Sequence, residues 1–276
     1  MTNLPDIQDT EPEIKIKINR VGVNNVELPF WLALQKGAST QIVAKAEMLC
    51  ELNPRKRGIS MSRFLRTLQP YLRKPIRRTV LESILKDFIE NLETNLASIK
   101  FDFKMPIQIE SPLSGNSFPQ FYKCSFRSDY IYGKFHFYES VRVQYSAYCP
   151  CSAALCKARG QGFPHNQRAF ADVVVETDTK ARIWLEEIID LVVDSVKTIP
   201  YPIIKRNDEA YIAGIASVYP QFVEDSIRGI SSKLRVKKYI KDWFVKCTHE
   251  ESIHTSNAVA INWKGVEGGF NENTYI

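Results

Sequence analysis

Four short motifs in the second half of the chain carry residue types that can bind a metal ion or transfer a proton. They are Cys149-Pro150-Cys151, His165-Asn166-Gln167-Arg168, Asp208-Glu209 and Glu251-Ser252-Ile253-His254. Thiolate, imidazole and carboxylate groups are common ligands of divalent ions, and thiols and imidazoles also act as acids and bases. Together with an arginine that can bind phosphate, this set is typical of a metal-dependent hydrolase acting on a charged substrate.

Each motif has a plainer interpretation when it is taken alone. Cys149 and Cys151 are separated by one residue, so they cannot easily ligate one ion side by side, and two half-buried cysteines in a turn are the commoner case. Glu251 and His254 share one face of a helix or tight turn and can reach one ion, although His249 is close enough to serve instead. The motifs therefore indicate a metal hydrolase only in combination.

Two further carboxylate positions differ in how much they predict. Asp208-Glu209 follows Lys205-Arg206 and by itself predicts only a charged turn. Glu224 lies beside Val223 and Ile227 at the edge of an apolar helical stripe, where a carboxylate is partly desolvated unless it has a partner. A guanine edge or a neighbouring arginine would each satisfy it.

Composition limits the class of protein. The chain has 276 residues, 44% of them hydrophobic, which is enough for one large domain or two modest ones. Its net charge of +6 suits an anionic small substrate or nucleic acid, but the basic stretch from Arg55 to Arg78 contains only Phe64 and Tyr71 for base stacking. Six unevenly spaced cysteines, a polar N-terminus and no apolar run of about 20 residues predict a cytoplasmic protein without a membrane span.

Hydrophobic periodicity predicts the elements that must position these residues. Helices are expected at Thr79–Leu96, Ala181–Val196 and Pro220–Leu234, and strands at Gly133–Tyr145, Ala171–Val175, Tyr239–Cys247 and Ala258–Trp263. The segment Ile42–Leu52 suits either a helix or a buried strand. Strands, then two helices, then strands predict an α+β fold with helices layered on an antiparallel sheet.

The ordered motifs resemble those of the type IB GTP cyclohydrolase family. The matching segments are Gly58–Phe64, Cys149–Ser152, His165–Arg168, Lys205–Glu209, Phe222–Asp225 and Glu251–His254. The resemblance covers roughly residues 20 to 265, and the five ordered motifs from Cys149 onward are far more specific together than any one of them. The chain departs from the family pattern at Ser60, where His is usual, and in a longer stretch between Cys151 and His165.

This resemblance implies a particular architecture. It implies a bimodular tunnelling fold (T-fold) of antiparallel sheets with paired helices, in which a barrel forms when subunits assemble as a homotetramer. The expected organisation is a flexible tail over residues 1–14, a first module over 15–118 and a second over 119–276 that carries most of the site residues.

The resemblance also implies the chemistry and the residues. The family converts GTP and water to 7,8-dihydroneopterin triphosphate and formate, using Mn²⁺ or Zn²⁺, with Fe²⁺ as a third candidate. The implied metal ligands are Cys149, Glu209, Glu251 and His254. The implied proton-transfer pair is Cys151 and His165, and Glu224 would hold the guanine edge. The implied triphosphate ligands are Arg63, Arg168, Lys205 and Arg206.

Three other functions stay open at this point. One is another T-fold pterin or deazapurine enzyme, such as a nitrile reductase with a catalytic cysteine. A non-catalytic metal-binding protein and a nucleic-acid binder that uses the stretch from Arg55 to Arg78 are the others. The number of metal-type ligands and a poor match to its own motif speak against the nitrile reductase, and sparse aromatic residues speak against the nucleic-acid binder.

Overall fold

The computed structural model describes residues 6–37, 39–177 and 182–274. Its strands are β1 (Ile18–Ala33), β2 (Ser39–Leu52), β3 (Pro75–Ile76), β4 (Leu96–Glu110), β5 (Ser117–Ile131), β6 (Lys134–Tyr148), β7 (Asn166–Thr177), β8 (Ile240–Glu250) and β9 (Ala258–Trp263). Its helices are α1 (Met61–Leu68), α2 (Arg78–Leu92), α3 (Pro150–Arg159), α4 (Leu185–Val196), α5 (Arg206–Val218) and α6 (Val223–Arg235). Across these described ranges, no helix is long and apolar enough to cross a membrane.

The strands form one mixed sheet. Its nine described strands follow the order β3-β1-β2-β4-β5-β6-β7-β8-β9. β1 pairs with β2 in antiparallel fashion, and the two-residue β3 pairs with β1 in parallel fashion, opposite Trp31 and Leu32.

The predicted bimodular tunnelling fold, with separate antiparallel sheets that close into a barrel on assembly, was therefore wrong. In the described residues the strand order runs from β3 to β9 as an open series, and it includes a parallel pair. The physical reason is the length of the central strands. β4, β5 and β6 are each 15 residues long, and hydrogen bonding continues across the expected module boundary at residues 118 and 119.

The chain divides into two compact units. The first comprises the described residues up to Lys104 together with Ser125–Tyr138, and the second comprises Met105–Cys124 and the described residues from Glu139 onward. The module bounds predicted from the sequence stay a prediction, and the first five residues of the predicted tail lie outside the described residues. Within the rest of that tail, Gln8 accepts a backbone bond from Gly58 at 3.1 Å.

An aromatic cluster fills the core of the first unit. The ring of Phe30 on β1 lies 5.4 Å from that of Phe101 and 5.3 Å from that of Phe103, both on β4. α1 contacts α2 through an edge-to-face pair of Phe64 and Phe88, whose ring centroids are 5.5 Å apart. Such pairs add to the large apolar area that each ring buries.

In the second unit, α6 covers β8 and β9 with an apolar stripe. Val223, Ile227, Ile230 and Leu234 are all buried, as the helical periodicity predicts. β7, β8 and β9 are antiparallel neighbours, with Ala169 opposite His249 across the first pair. This part of the sheet carries the strand ends on which the candidate site is built.

The helices and strands predicted from the sequence lie within a few residues of their observed positions. The predicted spans overlap the observed elements α2, α4, α6, β6, β7 and β8. The observed bounds of β9 are the same as the predicted ones. The predicted helix over Thr79–Leu96 runs too far, because Leu96 already begins β4; the start of the helix predicted from Ala181 lies outside the described residues. The ambiguous segment Ile42–Leu52 is strand, within β2.

Replacing Phe64 by Ala should destabilise the protein by about 3–5 kcal/mol, because it removes a fully buried ring from the contact between α1 and α2. The neighbouring Leu65→Ala is the matched control, since Leu65 is 45% exposed on the same helix. Its cost should stay near 0.5 kcal/mol or below, as for most surface substitutions (about ±0.5 kcal/mol). Urea unfolding of both variants measures the difference, and equal losses would show that the ring pair does not stabilise this unit.

Candidate functional site

The thiol pair lies at the start of a helix rather than in a turn. Cys149 is the residue before α3, Pro150 is the first helical residue, and Cys151 follows in the first turn. Proline suits this position because its missing N–H would have no partner inside the helix. The Cys149 Sγ accepts a hydrogen bond from the Ser152 backbone N–H at 3.5 Å, so this half-buried sulfur caps the helix while Cys151 is exposed. The two thiols are therefore placed for different tasks.

Two hydrogen bonds connect this helix start to His165. The Cys149 backbone N–H donates to the His165 carbonyl at 3.2 Å, and the His165 N–H donates to the Ser152 hydroxyl at 3.3 Å. His165 is half-buried and lies one residue before β7. The long stretch between the thiol pair and His165 therefore returns to the helix start, where the main chain of His165 is bonded to Cys149 and Ser152.

Gln167 extends this connection to the next strand. Its Nε2 lies 3.1 Å from His165 Nδ1 and 3.0 Å from Glu251 Oε2. β7 and β8 are paired so that Arg168 is opposite Glu250, which places Glu251 beside the start of β7. Gln167 is buried, and its Oε1 has no hydrogen-bond partner in the described part of the chain, a cost of about 1–3 kcal/mol.

A buried tyrosine and histidine lie behind this cluster. His249 on β8 is 3% exposed, and its Nε2 is 2.9 Å from the hydroxyl of Tyr145 on β6. Burial lowers the pKa of His249, while the carboxylates of Glu251 and Glu224 oppose that shift. Both carboxylates therefore favour the charged form of the same imidazole.

Several predicted site residues lie on exposed surfaces. Glu224 is exposed in the first turn of α6, so the expectation that its apolar neighbours partly desolvate it was wrong. Arg168, Lys205, Arg206, Glu209 and His254 are exposed too. All of these belong to the second unit, whereas Arg63 belongs to the first, where it is half-buried and 4.0 Å from an Asp9 oxygen.

The four predicted metal ligands have donor atoms that suit a divalent ion, but in the described residues of one chain they do not lie together. One thiolate, one imidazole and two carboxylates suit Mn²⁺ or Zn²⁺. Within the described residues, however, no three His, Cys, Asp or Glu side chains form a group that could hold an ion. Of the four predicted ligands, Cys149 and Glu251 share the hydrogen-bond network through His165 and Gln167, while Glu209 and His254 project into solvent.

Asp208 has a structural task in place of the predicted charged turn. Its buried carboxylate accepts hydrogen bonds from the Ser114 hydroxyl, at 2.6 Å, and from the backbone N–H groups of Lys205, Ser114 and Leu113. These bonds, the Ser114 hydroxyl first, hold the pKa of Asp208 well below its ordinary value against the opposing effect of burial. Asp208 thus fixes the start of α5, on whose first turn Glu209 is exposed.

Sequence reasoning missed Gln167 and Tyr145 as site residues. Both lie on strands where buried residues alternate with more accessible ones, so each looks like an ordinary inward position. A signal was present at Gln167, because an amide at an inward strand position needs polar partners. One partner, His165, lies two residues away in the sequence. The other, Glu251, lies 84 residues away, and only the β7–β8 register places it beside Gln167.

The chain is similar to GTP cyclohydrolases along most of its length. A family model described as type I GTP cyclohydrolase folE2 matches residues 4–260. The GTP cyclohydrolase FolE2 of Thermosipho africanus is 32% identical over 255 residues, covering 92% of this chain and 96% of the relative. The FolE2 of Ruegeria sp. strain TM1040 is 30% identical over 272 residues, covering 95% of this chain and 74% of the relative.

Solved structures with a similar fold are urate oxidases. Uricase from Arthrobacter globiformis superposes with a TM-score of 0.58 at 7% identity, over 92% of this chain and 96% of that chain. Urate oxidase from Bacillus sp. TB-90 has a TM-score of 0.52 at 8% identity, over 91% and 100%. At these identities the likeness concerns the fold alone, and it supports the correction made above.

Asp208→Asn should lower stability in a pH-dependent way. The lowered pKa means that the carboxylate stabilises the fold above its ordinary pKa of about 3.9, and that this contribution is lost as the pH falls toward the folded value. The gap in urea midpoint between the wild type and the variant should be constant from about pH 5 to 8 and narrow below about pH 4. Glu209→Gln, a change in the exposed neighbour, should show no such gap; a gap of equal size would remove the special role of Asp208.

Proposed function

This chain belongs to the type I GTP cyclohydrolase family FolE2, and we propose that it converts GTP and water to 7,8-dihydroneopterin triphosphate and formate. This is the first step of tetrahydrofolate-type pterin biosynthesis. The observation that carries the proposal is the family match over residues 4–260, which includes every motif of the candidate site. The same match favours a cyclohydrolase over a nitrile reductase, a metal-storage protein or a nucleic-acid binder.

We assign the chain to the type IB class, on the motifs quoted above, and place it in the cytoplasm. All six cysteines are free, which suits a reducing compartment. We also propose a homotetramer with sites near subunit interfaces. Support comes from Glu209 and His254, which are exposed and separate from the network of Cys149 in one chain, so that a neighbouring subunit can complete a donor set.

The proposed cofactor is a divalent ion, Mn²⁺ or Zn²⁺, with Fe²⁺ as a third candidate. Cys149, Glu209, Glu251 and His254 would hold it, and the donor types suit these ions. When bound, such an ion supplies hydroxide at neutral pH by lowering the pKa of a bound water.

Guanine recognition is assigned to Glu224. Its carboxylate is exposed in the first turn of α6, so a ligand can reach it. A carboxylate accepts two N–H bonds, and guanine offers N1–H and the 2-amino group on one edge. Adenine lacks this pair of donors, so Glu224 would select GTP over ATP.

Proton transfer is assigned to Cys151 and His165. Opening of the purine at C8 needs protonation of N7, and release of formate needs a second hydrolysis at the same carbon. Cys151 is exposed in the first turn of α3, and the half-buried His165 is bonded to the same helix start through its backbone N–H. Thiol and imidazole groups are suited to this task near neutral pH.

The triphosphate needs cations. Lys205 and Arg206 lie at the N-terminus of α5, where the helix dipole also favours negative charge, and Arg168 is exposed on β7. The assignment of Arg63 to triphosphate binding is based on the Gly58–Phe64 motif alone.

The wild type should release formate and 7,8-dihydroneopterin triphosphate from GTP only after a divalent ion is restored to the metal-free protein. Cys149→Ala should lose both bound metal and activity, because it removes the thiolate donor. Metal content and formate are measured together, with Cys156→Ala as a matched thiol control that retains both. Wild type that binds metal but yields no formate with Mn²⁺ or Zn²⁺ would contradict the proposed reaction.

Glu224→Gln should keep its metal but bind GTP about 10- to 100-fold more weakly, because a charge-assisted hydrogen bond contributes about 1.5–3 kcal/mol. Asp225→Asn is the control, since asparagine can still accept the Phe222 N–H that Asp225 accepts at 3.1 Å. Inosine triphosphate, which lacks the 2-amino group, should bind the wild type more weakly than GTP. Unchanged GTP affinity in Glu224→Gln would remove Glu224 from guanine recognition.

A further inference from the structure

Gln167 lies between His165 and Glu251, and both of these groups contact its side-chain nitrogen. Its side chain is 4% exposed, and its Nε2 faces both His165 Nδ1 and Glu251 Oε2, at 3.1 and 3.0 Å. Its Oε1 is buried and has no partner in the described ranges of the chain. A buried glutamine with one unsatisfied end is held by what its other end binds, so the two contacts of Nε2 decide its orientation.

The carboxylate fixes which way the amide points. An ionised Glu251 can only accept hydrogen bonds, so the amide must present its NH₂ group to it. Rotating the amide would leave Glu251 without this donor, because it would place Oε1 against a Glu251 oxygen. The NH₂ group has two hydrogens, and the second one is directed to His165.

The orientation of the amide then determines the form of His165. Because Gln167 donates to Nδ1, that ring nitrogen must accept, and the neutral imidazole carries its proton on Nε2. We infer that Gln167 is a positioning residue, which fixes the Nε2–H tautomer of His165 and so makes this imidazole a hydrogen-bond donor toward the substrate. The inference rests on the proposed function for its catalytic meaning, and on the contacts alone for the tautomer.

The backbone holds the other side of this imidazole in place. The His165 carbonyl accepts from Cys149 and its N–H donates to the Ser152 hydroxyl, so the main chain of His165 is tied to the start of α3. The Gln167 contact at Nδ1 adds the restraint on ring rotation that these backbone bonds cannot supply. Partners of this kind that orient a catalytic group typically affect activity by about 10- to 100-fold.

The test uses two substitutions with opposite expected effects on the tautomer. Gln167→Met keeps the side-chain length and removes both donors, so His165 should populate both tautomers. Gln167→Glu places a carboxyl oxygen between Glu251 and His165. The two neighbouring carboxyls must then share a proton, while this oxygen accepts from the ring, so His165 should carry a proton on Nδ1. Asn262→Asp is the matched control, because it is an amide-to-acid change at a half-buried site in the same unit, where the Ser231 hydroxyl 3.0 Å away can donate to the new carboxylate.

The first readout is independent of activity. In metal-free protein labelled with nitrogen-15 in its four histidines, long-range nitrogen–proton spectra report the tautomer of each ring, and His165→Ala assigns the signal. We expect Nε2–H in the wild type and in Asn262→Asp, a mixture in Gln167→Met, and Nδ1–H in Gln167→Glu. A wild-type proton on Nδ1, or a tautomer that neither substitution changes, would overturn the inference.

The second readout separates positioning from binding. At saturating metal, Gln167→Met should lower kcat about 10- to 100-fold and change the KM for GTP by less than about threefold. A kcat within about threefold of the wild type would overturn the catalytic part, and if Gln167→Met does not fold, Gln167→Glu decides by the same criteria. Wild type with the expected tautomers but no formate would support the Gln167 bridge and refute the cyclohydrolase proposal, so the two failures are distinguishable.

Discussion

The register between β7 and β8 is the constraint on which the candidate site depends. Because Ala169 is paired with His249, the inward Gln167 and Glu251, the residue directly after β8, come within hydrogen-bonding distance. A slip of one residue would turn every inward side chain of β7 to the other face, so Gln167 would lose both of its partners. The buried pairs along the two strands therefore stabilise the site as well as the sheet.

The start of α3 at Cys149 is the second feature on which the candidate site depends. Proline at the first helical position and a sulfur that accepts the Ser152 N–H give α3 a defined beginning, and His165 is bonded to this beginning through its main chain. A thiol, an imidazole and a carboxylate from distant parts of the sequence thus share one hydrogen-bond network. Under the proposed function, this network takes part in the opening of a guanine ring by water.

Residue types and local periodicity predicted part of the fold and of the candidate site. The remaining features depend on tertiary pairing between distant segments. The stripe from Val223 to Leu234 has a helical period and is buried as predicted, because a local pattern determines one helix face. The single open sheet was not predictable, because strand order depends on pairings between distant segments. Gln167 and Glu251 are separated by 84 residues, so no local pattern joins them, and Glu224 is exposed because it lies in the first turn of α6, outside the buried stripe.

The most direct test of the central claim follows one carbon atom. The metal-loaded wild type is supplied with GTP labelled with carbon-13 at C8, and the products are followed by carbon-13 spectroscopy. The account predicts that the label leaves the purine and appears quantitatively in formate, while the remaining ring system becomes a pterin. A label that stays in an intact purine, or that stops in a ring-opened formyl compound, would contradict it.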